Sequence, residues 1–250
     1  MGHSVALVTN ALEFAGPPAV AALLEAGFRV VAHDTAFAAS SARDVYRQGH
    51  PQVIALAAQA PAEIVAAAWE LAQRLDVLVS NDACRPVHGP IASASIEDLE
   101  ATLNRLVVFP FAVAKAAIPR LKEQAGSRVV MITSNRTKLP LRGGAIPDAA
   151  RAAANALMRS LSLELAPHGI PVNAIAPNFL YSETYFPRAR FIDDAAGRAF
   201  IEQVVPVGRL GRPEEIGELV RYLATMKGTF MTGSIIDFSG GWPAEAVRPG

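Results

Sequence analysis

Short apolar runs rich in β-branched residues alternate along this chain with alanine-rich stretches of helical character. The run Arg128–Thr133 has a wholly apolar centre, which is typical of strands buried on both faces of a parallel sheet. Because strands that alternate with helices pair in parallel, the pattern predicts an α/β fold with a doubly wound, mostly parallel seven-stranded sheet in three layers. The predicted strands are Ser4–Thr9, Phe28–His33, Gln52–Leu56, Val77–Ser80, Arg128–Thr133, Val172–Ile175 and Ser234–Phe238.

Helices are predicted between these strands, several with acids or proline in their first turn. They span Pro17–Ala26, Ala62–Arg74, Ser95–Gln124, Asp148–Leu165 and Pro213–Met226. Pro110 and Pro119 predict kinks or breaks inside the third of them. The longest stretch without periodicity is Pro177–Arg198, after the sixth strand. Ligands of such sheets bind beyond the carboxyl ends of the strands, so this stretch is predicted to form a lid or pocket wall.

Composition excludes several classes of function. The length of 250 residues suits a single Rossmann-like domain over 1–250. Basic and acidic residues are equal in number, so the net charge of zero argues against nucleic acid or an anionic membrane as a partner. The lone cysteine, Cys84, excludes an internal disulfide. Without a recognisable signal peptide, a long uncharged apolar run or metal-ligand spacing of histidines, the sequence predicts a cytoplasmic protein without a metal.

The segment after the first strand carries a degenerate nucleotide-binding motif. Thr9–Gly16 reads T-N-A-L-E-F-A-G, which resembles the T-G-x-x-x-G-x-G turn of short-chain dehydrogenases/reductases with only the last glycine kept. Asn10 and Phe14 take the other two glycine positions, and a phenyl ring at Phe14 projects toward the space that a nicotinamide needs. Asp34 resembles the acid that binds ribose, but a polar residue at a strand end is weak support.

The catalytic positions of that superfamily are also altered. Its Ser…Tyr-x-x-x-Lys pattern is matched here by Ser134, by Pro147 in place of tyrosine and by Arg151 in place of lysine. Leu106 stands where a catalytic asparagine is usual. Proline has neither a hydroxyl nor a titratable group, so Pro147 cannot act as an acid or base. These losses make a nucleotide-dependent reductase the least favoured reading.

The same losses are similar to those of the halohydrin dehalogenases, cofactor-free relatives within the superfamily. The resemblance covers nearly the whole chain, and its most specific parts are the Asn10/Phe14 turn, the N-D pair at Asn81–Asp82 and P-N-F at Pro177–Phe179. Other matching stretches are Ala32–Asp34, Ile132–Ser134, Ala150–Ala153, Thr184–Pro187 and Val207–Glu215, the last of which is shared with the reductases.

The resemblance implies a lyase that converts vicinal haloalcohols into epoxides and halide without a cofactor. It implies that Ser134 holds the substrate oxygen, that Arg151 supports a tyrosinate base and that Asp82 contacts the arginine. The halide is expected to leave into a pocket lined by Phe14, Pro177, Asn178, Phe179, Leu180 and Phe186. It also implies a homotetramer in which helices Thr102–Gln124 and Asp148–Leu165 pair across two-fold axes.

Pro147 leaves two main readings open, an active or weakly active dehalogenase-like enzyme and a non-catalytic relative that binds an anion or a small organic ligand. Without the phenol, dehalogenation is expected to be slow or absent unless another group supplies the base. The candidates are Asp148, Tyr181 and Tyr185. Asp148 precedes Arg151 by three residues on the predicted helix, so the two are expected to pair, which makes the carboxylate a poor base. The two tyrosines are expected to be wall residues of the lid.

Overall fold

The computed structural model describes residues 3–244, in which seven strands form one parallel sheet in the order β3-β2-β1-β4-β5-β6-β7. The order reverses between β1 and β4, which places a ligand crevice at the carboxyl ends of these two strands. The strands are β1 Val5–Val8, β2 Arg29–Ala32, β3 Ile54–Ala55, β4 Val77–Asn81, β5 Arg128–Ile132, β6 Val172–Pro177 and β7 Ile235–Phe238.

Helices cover both faces of the sheet and complete the three predicted layers. Alternate residues of a strand face opposite sides, so Ala6 and Val8 pack in the hydrophobic cluster that includes the helices α1 and α9. Val5 and Leu7 pack in the cluster that includes α3, α5 and α6. The helices are α1 Gly16–Glu25, α2 Ser40–Gly49, α3 Pro61–Ala72, α4 Ile96–Leu103, α5 Phe109–Lys122, α6 Ala145–Leu165, α7 Arg188–Phe191, α8 Ala195–Val204 and α9 Pro213–Thr225.

The prediction of a mostly parallel seven-stranded sheet is confirmed, and each predicted strand is present within three residues of its expected bounds. Helix α2 is missing from the sequence prediction because it is largely polar and none of its residues is buried, and its apolar side is limited to Ala42, Val45 and Tyr46. The stretch Pro177–Arg198 also contains more structure than its sequence indicates. It holds a bridge between Ser182 and Phe186, all of α7 and the start of α8.

Of the kinks or breaks predicted at Pro110 and Pro119, a break is wrong at both, because helical structure is continuous from α4 through α5. A wider π-helical turn, Asn104–Val108, comes just before Pro110. Such a turn changes the backbone hydrogen-bonding pattern and so accommodates a residue that has no N–H to donate. Leu106 lies in this turn and is buried.

The continuous stretch Ile96–Lys122 is long and apolar enough to cross a bilayer by length and composition alone. A core helix of a water-soluble protein passes the same criterion, so a single such stretch is a weak sign of a membrane span. Here its buried residues Val113, Ala117 and Leu121 belong to the hydrophobic cluster on one face of the sheet.

Helix α6 begins at Ala145, three residues earlier than predicted, and Pro147 is therefore the third residue of its first turn. A proline is tolerated there because the first N–H groups of a helix have no partner within the helix. Gly144 precedes the helix, and a Cβ at this position would lie 2.8 Å from the Asp148 carboxylate. The substitution of the tyrosine by proline is thus compatible with an unbroken helix that carries Arg151 one turn later.

Candidate active site

The turn between β1 and α1 follows the backbone path of a glycine-rich turn without most of the glycines. Asn10 and Phe14 both adopt left-handed backbone conformations, with φ of 49° and 54°. That conformation costs a residue other than glycine about 1–2 kcal/mol, and asparagine tolerates it better than phenylalanine. Position 16 requires glycine, because a Cβ there would lie 2.5 Å from the Asn10 carbonyl oxygen.

A reciprocal pair of asparagines holds this turn against β4. The Asn10 side-chain amide donates to the Asn81 carbonyl at 2.8 Å, and the Asn81 amide donates to the Asn10 carbonyl at 2.8 Å. Asn81 also donates to the Glu13 carbonyl at 2.9 Å. Both asparagines are buried, so these bonds satisfy polar groups that water does not reach. The pair offsets the cost of the left-handed residues and fixes the turn in one conformation.

The Asp34 carboxylate is hydrogen-bonded to the protein's own backbone. Its two carboxylate oxygens accept from the backbone N–H groups of Leu12 and Ala36, each at 3.0 Å. Asp34 is buried, at 6% exposure. The carboxylate therefore ties β2 to the β1–α1 turn, and it already has two internal donors where the superfamily motif has a ribose-binding acid.

Phe14 reaches across the crevice to the lid. Its ring meets the Tyr185 ring edge-on, with 4.8 Å between centroids and an interplanar angle of 67°. T-shaped aromatic pairs of this kind are favourable beyond the area that they bury. Phe14 thus packs against Tyr185, one of the two tyrosines expected to be wall residues of the lid.

Arg151 is the polar centre of the site. It is 4% exposed, and its two terminal nitrogens donate in different directions. One donates to the Asp82 carbonyl oxygen at 3.0 Å, and the other to the Tyr185 hydroxyl oxygen at 2.9 Å. The backbone N–H of Cys84 donates to the same hydroxyl oxygen, also at 2.9 Å. The end of β4, helix α6 and the lid therefore meet at one guanidinium and one phenol.

Asp82 contacts Arg151 differently from what the resemblance implies. The hydrogen bond goes to its backbone carbonyl, whereas one carboxylate oxygen accepts from the Ser80 hydroxyl at 2.8 Å. The other carboxylate oxygen is buried and has no hydrogen-bond partner among residues 3–244. Burial raises the pKa of Asp82 to about 7, although the Ser80 hydrogen bond and the charge of Arg151 oppose the shift.

Ser134 lies just beyond β5, at the same end of the sheet as Arg151. Its hydroxyl donates to the Pro177 carbonyl at 3.2 Å and accepts from the Arg136 N–H at 3.2 Å. The Asn155 side chain on α6 donates to the Ser134 carbonyl at 3.0 Å. Strand β5, helix α6 and the end of β6 thus fix the serine in place.

The expected pairing of Asp148 with Arg151 is wrong. The Asp148 carboxylate forms a salt bridge with Arg136, in the loop after β5, and each side chain is 16% exposed. Helical spacing allows an Asp148–Arg151 contact, but Arg136 arrives from another element and takes the carboxylate. Arg151 therefore hydrogen-bonds to the Asp82 carbonyl and the Tyr185 hydroxyl and forms no pair with Asp148.

Four of the six residues of the expected halide pocket belong to two hydrophobic clusters. Phe179 and Phe186 meet in a tilted arrangement with 5.1 Å between ring centroids, in a cluster where Trp242 also meets Phe179 at 5.7 Å. Leu180 is buried in the cluster against which Phe14 packs. The remaining two, Pro177 and Asn178, are the last residue of β6 and the residue after it.

Two cavities in the described part of the chain lie away from Ser134 and Arg151. One of about 420 Å³ adjoins the β1–α1 turn and is lined by Asn10, Thr35, Pro61, Arg105 and Phe109 among others. Another, of about 440 Å³, lies at the opposite ends of the strands beside Arg74 and Arg128. Neither is lined by Ser134 or Arg151. Within residues 3–244, no cluster of three or more His, Cys, Asp or Glu side chains could hold a metal ion.

The sequence named Tyr185 as a lid residue and a candidate base, but it did not predict the contact of the Tyr185 hydroxyl with Arg151 and Cys84. The two partners of its hydroxyl are 34 and 101 residues away along the chain, so no local spacing connects them. The one available signal was the lid itself, which the sequence placed after β6 and which contains Tyr185.

Comparison with known proteins places this arrangement in a family. A family model described as Enoyl-(Acyl carrier protein) reductase matches residues 16–243. The human Dehydrogenase/reductase SDR family member 4 is 30% identical over 182 residues, which are 73% of this chain and 64% of that protein. The chain belongs to the short-chain dehydrogenase/reductase superfamily. Its match spans less than two thirds of the length of the human relative.

Two solved structures are similar to this chain over nearly its whole length. One is described as a dehalogenation enzyme; it is 33% identical with a TM-score of 0.91, over 96% of this chain and 98% of that one. The other is the halohydrin dehalogenase HheC bound to ethyl (2S)-oxiran-2-ylacetate. It is also 33% identical, with a TM-score of 0.95, over 99% of this chain and 100% of that one.

The raised pKa of Asp82 predicts a stability that depends on pH. The folded protein holds the Asp82 proton more tightly than the unfolded chain, whose value is near 3.8. Stability from this group is therefore fully present below pH 3.8 and is lost as the pH rises toward 7, by at most about 4 kcal/mol. Asp82→Asn, which mimics the protonated form, should be more stable relative to the wild type at pH 8 than at pH 5.

Urea unfolding at the two pH values measures this difference. The control Asp44→Asn, on the exposed helix α2, should change the unfolding free energy little at either pH. An Asp82→Asn effect of equal size at pH 5 and pH 8 would contradict the assignment of a buried, protonated carboxyl.

Proposed function

We propose that this protein is a halohydrin dehalogenase-like lyase that converts vicinal haloalcohols into epoxides and halide without a nucleotide. The observation that supports this most is the Phe14–Tyr185 ring pair in the crevice beyond β1, anchored through the Tyr185 hydroxyl on Arg151. These side chains occupy the crevice at the reversal of strand order, where relatives of this fold bind dinucleotides.

The rest of the former nucleotide site supports the same reading. The reciprocal Asn10–Asn81 pair fills the turn that glycines leave open for a pyrophosphate, and Asp34 already accepts two backbone N–H groups. The structural similarity to HheC, with a TM-score of 0.95 at 33% identity, exceeds that to the NADP complex of Pseudomonas aeruginosa RhlG, with a TM-score of 0.84 at 28% identity.

In the proposed reaction, Ser134 binds the hydroxyl oxygen of the substrate. Proton removal gives an alkoxide whose oxygen attacks the adjacent carbon, and the carbon–halogen bond breaks with its electron pair leaving on the halide. Phe14, Phe179 and Phe186 form an aromatic wall for the weakly hydrated halide, beside the backbone of Pro177, Asn178 and Leu180. Arg151 supports the base, and Asp82 holds the guanidinium through its carbonyl oxygen.

The second candidate is a non-catalytic protein that binds an anion or a small organic ligand. Pro147 favours it, because the phenol of the superfamily is absent from α6. Binding without turnover of haloalcohols would distinguish it from the lyase.

The lyase is tested by halide release from 1,3-dihalo-2-propanols in the absence of nucleotide. The wild type should produce halide and epoxide in equal amounts. Ser134→Ala should lower the rate about 10²-fold, because a hydrogen bond to the developing alkoxide is lost. Ser41→Ala, on exposed α2, is the matched control and should leave the rate unchanged.

If no haloalcohol tested gives halide while the protein still binds an anion or a small organic ligand, the non-catalytic alternative is established. Oxidation of NADPH with carbonyl substrates would instead identify a reductase.

The proposed assembly is a homotetramer built on the helices Thr102–Gln124 and Asp148–Leu165. Large apolar side chains on them face outward in the single chain, with Phe111 at 52% and Leu163 at 76% exposure. Exposed apolar surface of this kind is typical of a protein interface.

Light scattering should therefore give about four times the chain mass of 26.4 kDa at micromolar concentration. Phe111→Glu should dissociate the assembly, whereas Val45→Glu, on α2 and 69% exposed, should not. A monomeric wild type would contradict the proposal.

A further inference from the structure

The dehalogenase reaction needs a base, and the chain offers three groups near the site besides the missing tyrosine. Asp148 is neutralised by its salt bridge with Arg136. The Tyr181 hydroxyl donates to the Glu183 carboxylate at 2.7 Å, and this hydrogen bond raises the pKa of Tyr181. A phenol that is hydrogen-bonded to an anion is a poor base, because its anionic form would face a like charge. Tyr185 has neither disadvantage.

The hydrogen bonds of Tyr185 have a definite direction. A guanidinium and a backbone N–H are donors only, so the phenol oxygen accepts from both Arg151 and Cys84. Among the described residues, the Tyr185 proton has no hydrogen-bond acceptor and is left for a ligand. Two converging donors, one of them cationic, form the arrangement that stabilises an oxyanion in enzyme sites.

Pro147 explains why the phenol can come from the lid. Pro147 and Arg151 lie four residues apart on α6, which places them on the same face of the helix. A tyrosine at position 147 would lie beside the guanidinium, whereas proline has no polar atom in its side chain. One nitrogen of Arg151 is therefore available, and in this structure it is bound by the hydroxyl of Tyr185.

The position of the Tyr185 ring is fixed independently of its hydroxyl. Phe14 meets it edge-on, and the Ser182 hydroxyl accepts from the Tyr185 N–H at 3.2 Å. The bridge between Ser182 and Phe186 closes the lid turn around it. A residue held in this way by packing keeps its orientation when its hydroxyl changes protonation state.

We propose that Tyr185, delivered from the lid, is the catalytic base that replaces the phenol missing at Pro147. This inference rests on the proposed function. The Tyr185 hydroxyl first gives its proton to solvent, and the phenolate oxygen then takes the proton of the substrate hydroxyl. The new alkoxide forms the carbon–oxygen bond of the epoxide, and the halide leaves with the electron pair of the carbon–halogen bond. Tyr185 ends the turnover as the phenol with which it began.

The experiment compares halide release by the wild type, Tyr185→Phe, Tyr222→Phe and Pro147→Tyr/Tyr185→Phe. Tyr185→Phe keeps the ring on Phe14 and removes only the hydroxyl, so the fold should persist, as a melting curve will show. Its kcat should fall about 10²–10⁴-fold, the usual contribution of a general base, with a much smaller change in KM. Tyr222→Phe, on α9 and 55% exposed, is the matched control and should retain the wild-type kcat.

The double variant tests the reason for the loss. A phenol at position 147 should restore part of the activity lost in Tyr185→Phe, because it again places a hydroxyl on Arg151. If Tyr185→Phe does not fold, Tyr185→Leu takes its place in the comparison, and we expect the same loss of kcat.

The outcomes separate this assignment from the proposed function. If the wild type is active and Tyr185→Phe is equally or more active, the role of Tyr185 as the base is overturned and the proposed function stands. Tyr185 would then be a side chain that blocks the site. A wild type that releases no halide overturns both the function and the assignment.

Discussion

A buried guanidinium at the carboxyl end of the sheet is the constraint on which the site depends. Arg151 is 4% exposed, and a buried cation is costly unless its donors find acceptors. Its two recorded acceptors come from different parts of the chain, the Asp82 carbonyl after β4 and the Tyr185 phenol in the lid. The charge therefore joins the core of the sheet to the lid, and loss of either acceptor would leave a buried donor unsatisfied.

The β1–α1 turn shows how the fold is kept while the ligand space changes. Asn10 and Phe14 retain the left-handed conformations that glycines usually provide, so the strand still leads into α1 along the same path. Their side chains then fill the space that glycines leave empty. Asn10 locks the turn to Asn81, and Phe14 supports Tyr185. Both residues thus keep the path of the turn while they place side chains where glycine has none.

The sheet could be predicted from sequence because its strands are short, apolar runs separated by helices. The altered turn and the positions of Ser134 and Arg151 were also readable, since each follows a strand or lies on a long helix. The Asp148 pairing was mispredicted because Arg136 reaches it from a different loop. The contact of Tyr185 with Arg151 could not be read from local spacing, because the lid is placed by tertiary packing of its aromatic residues.

Phe14 and Tyr185 meet beyond the carboxyl end of β1, at the crevice in which relatives of this fold bind a nucleotide. Nucleotide binding can be measured by titration calorimetry of the wild type with NADH and NADPH, with an NADPH-dependent reductase of the superfamily as the positive control. We predict no binding of either nucleotide at sub-millimolar concentration, because these two side chains take the space of the nicotinamide. A micromolar dissociation constant for either nucleotide would contradict this prediction.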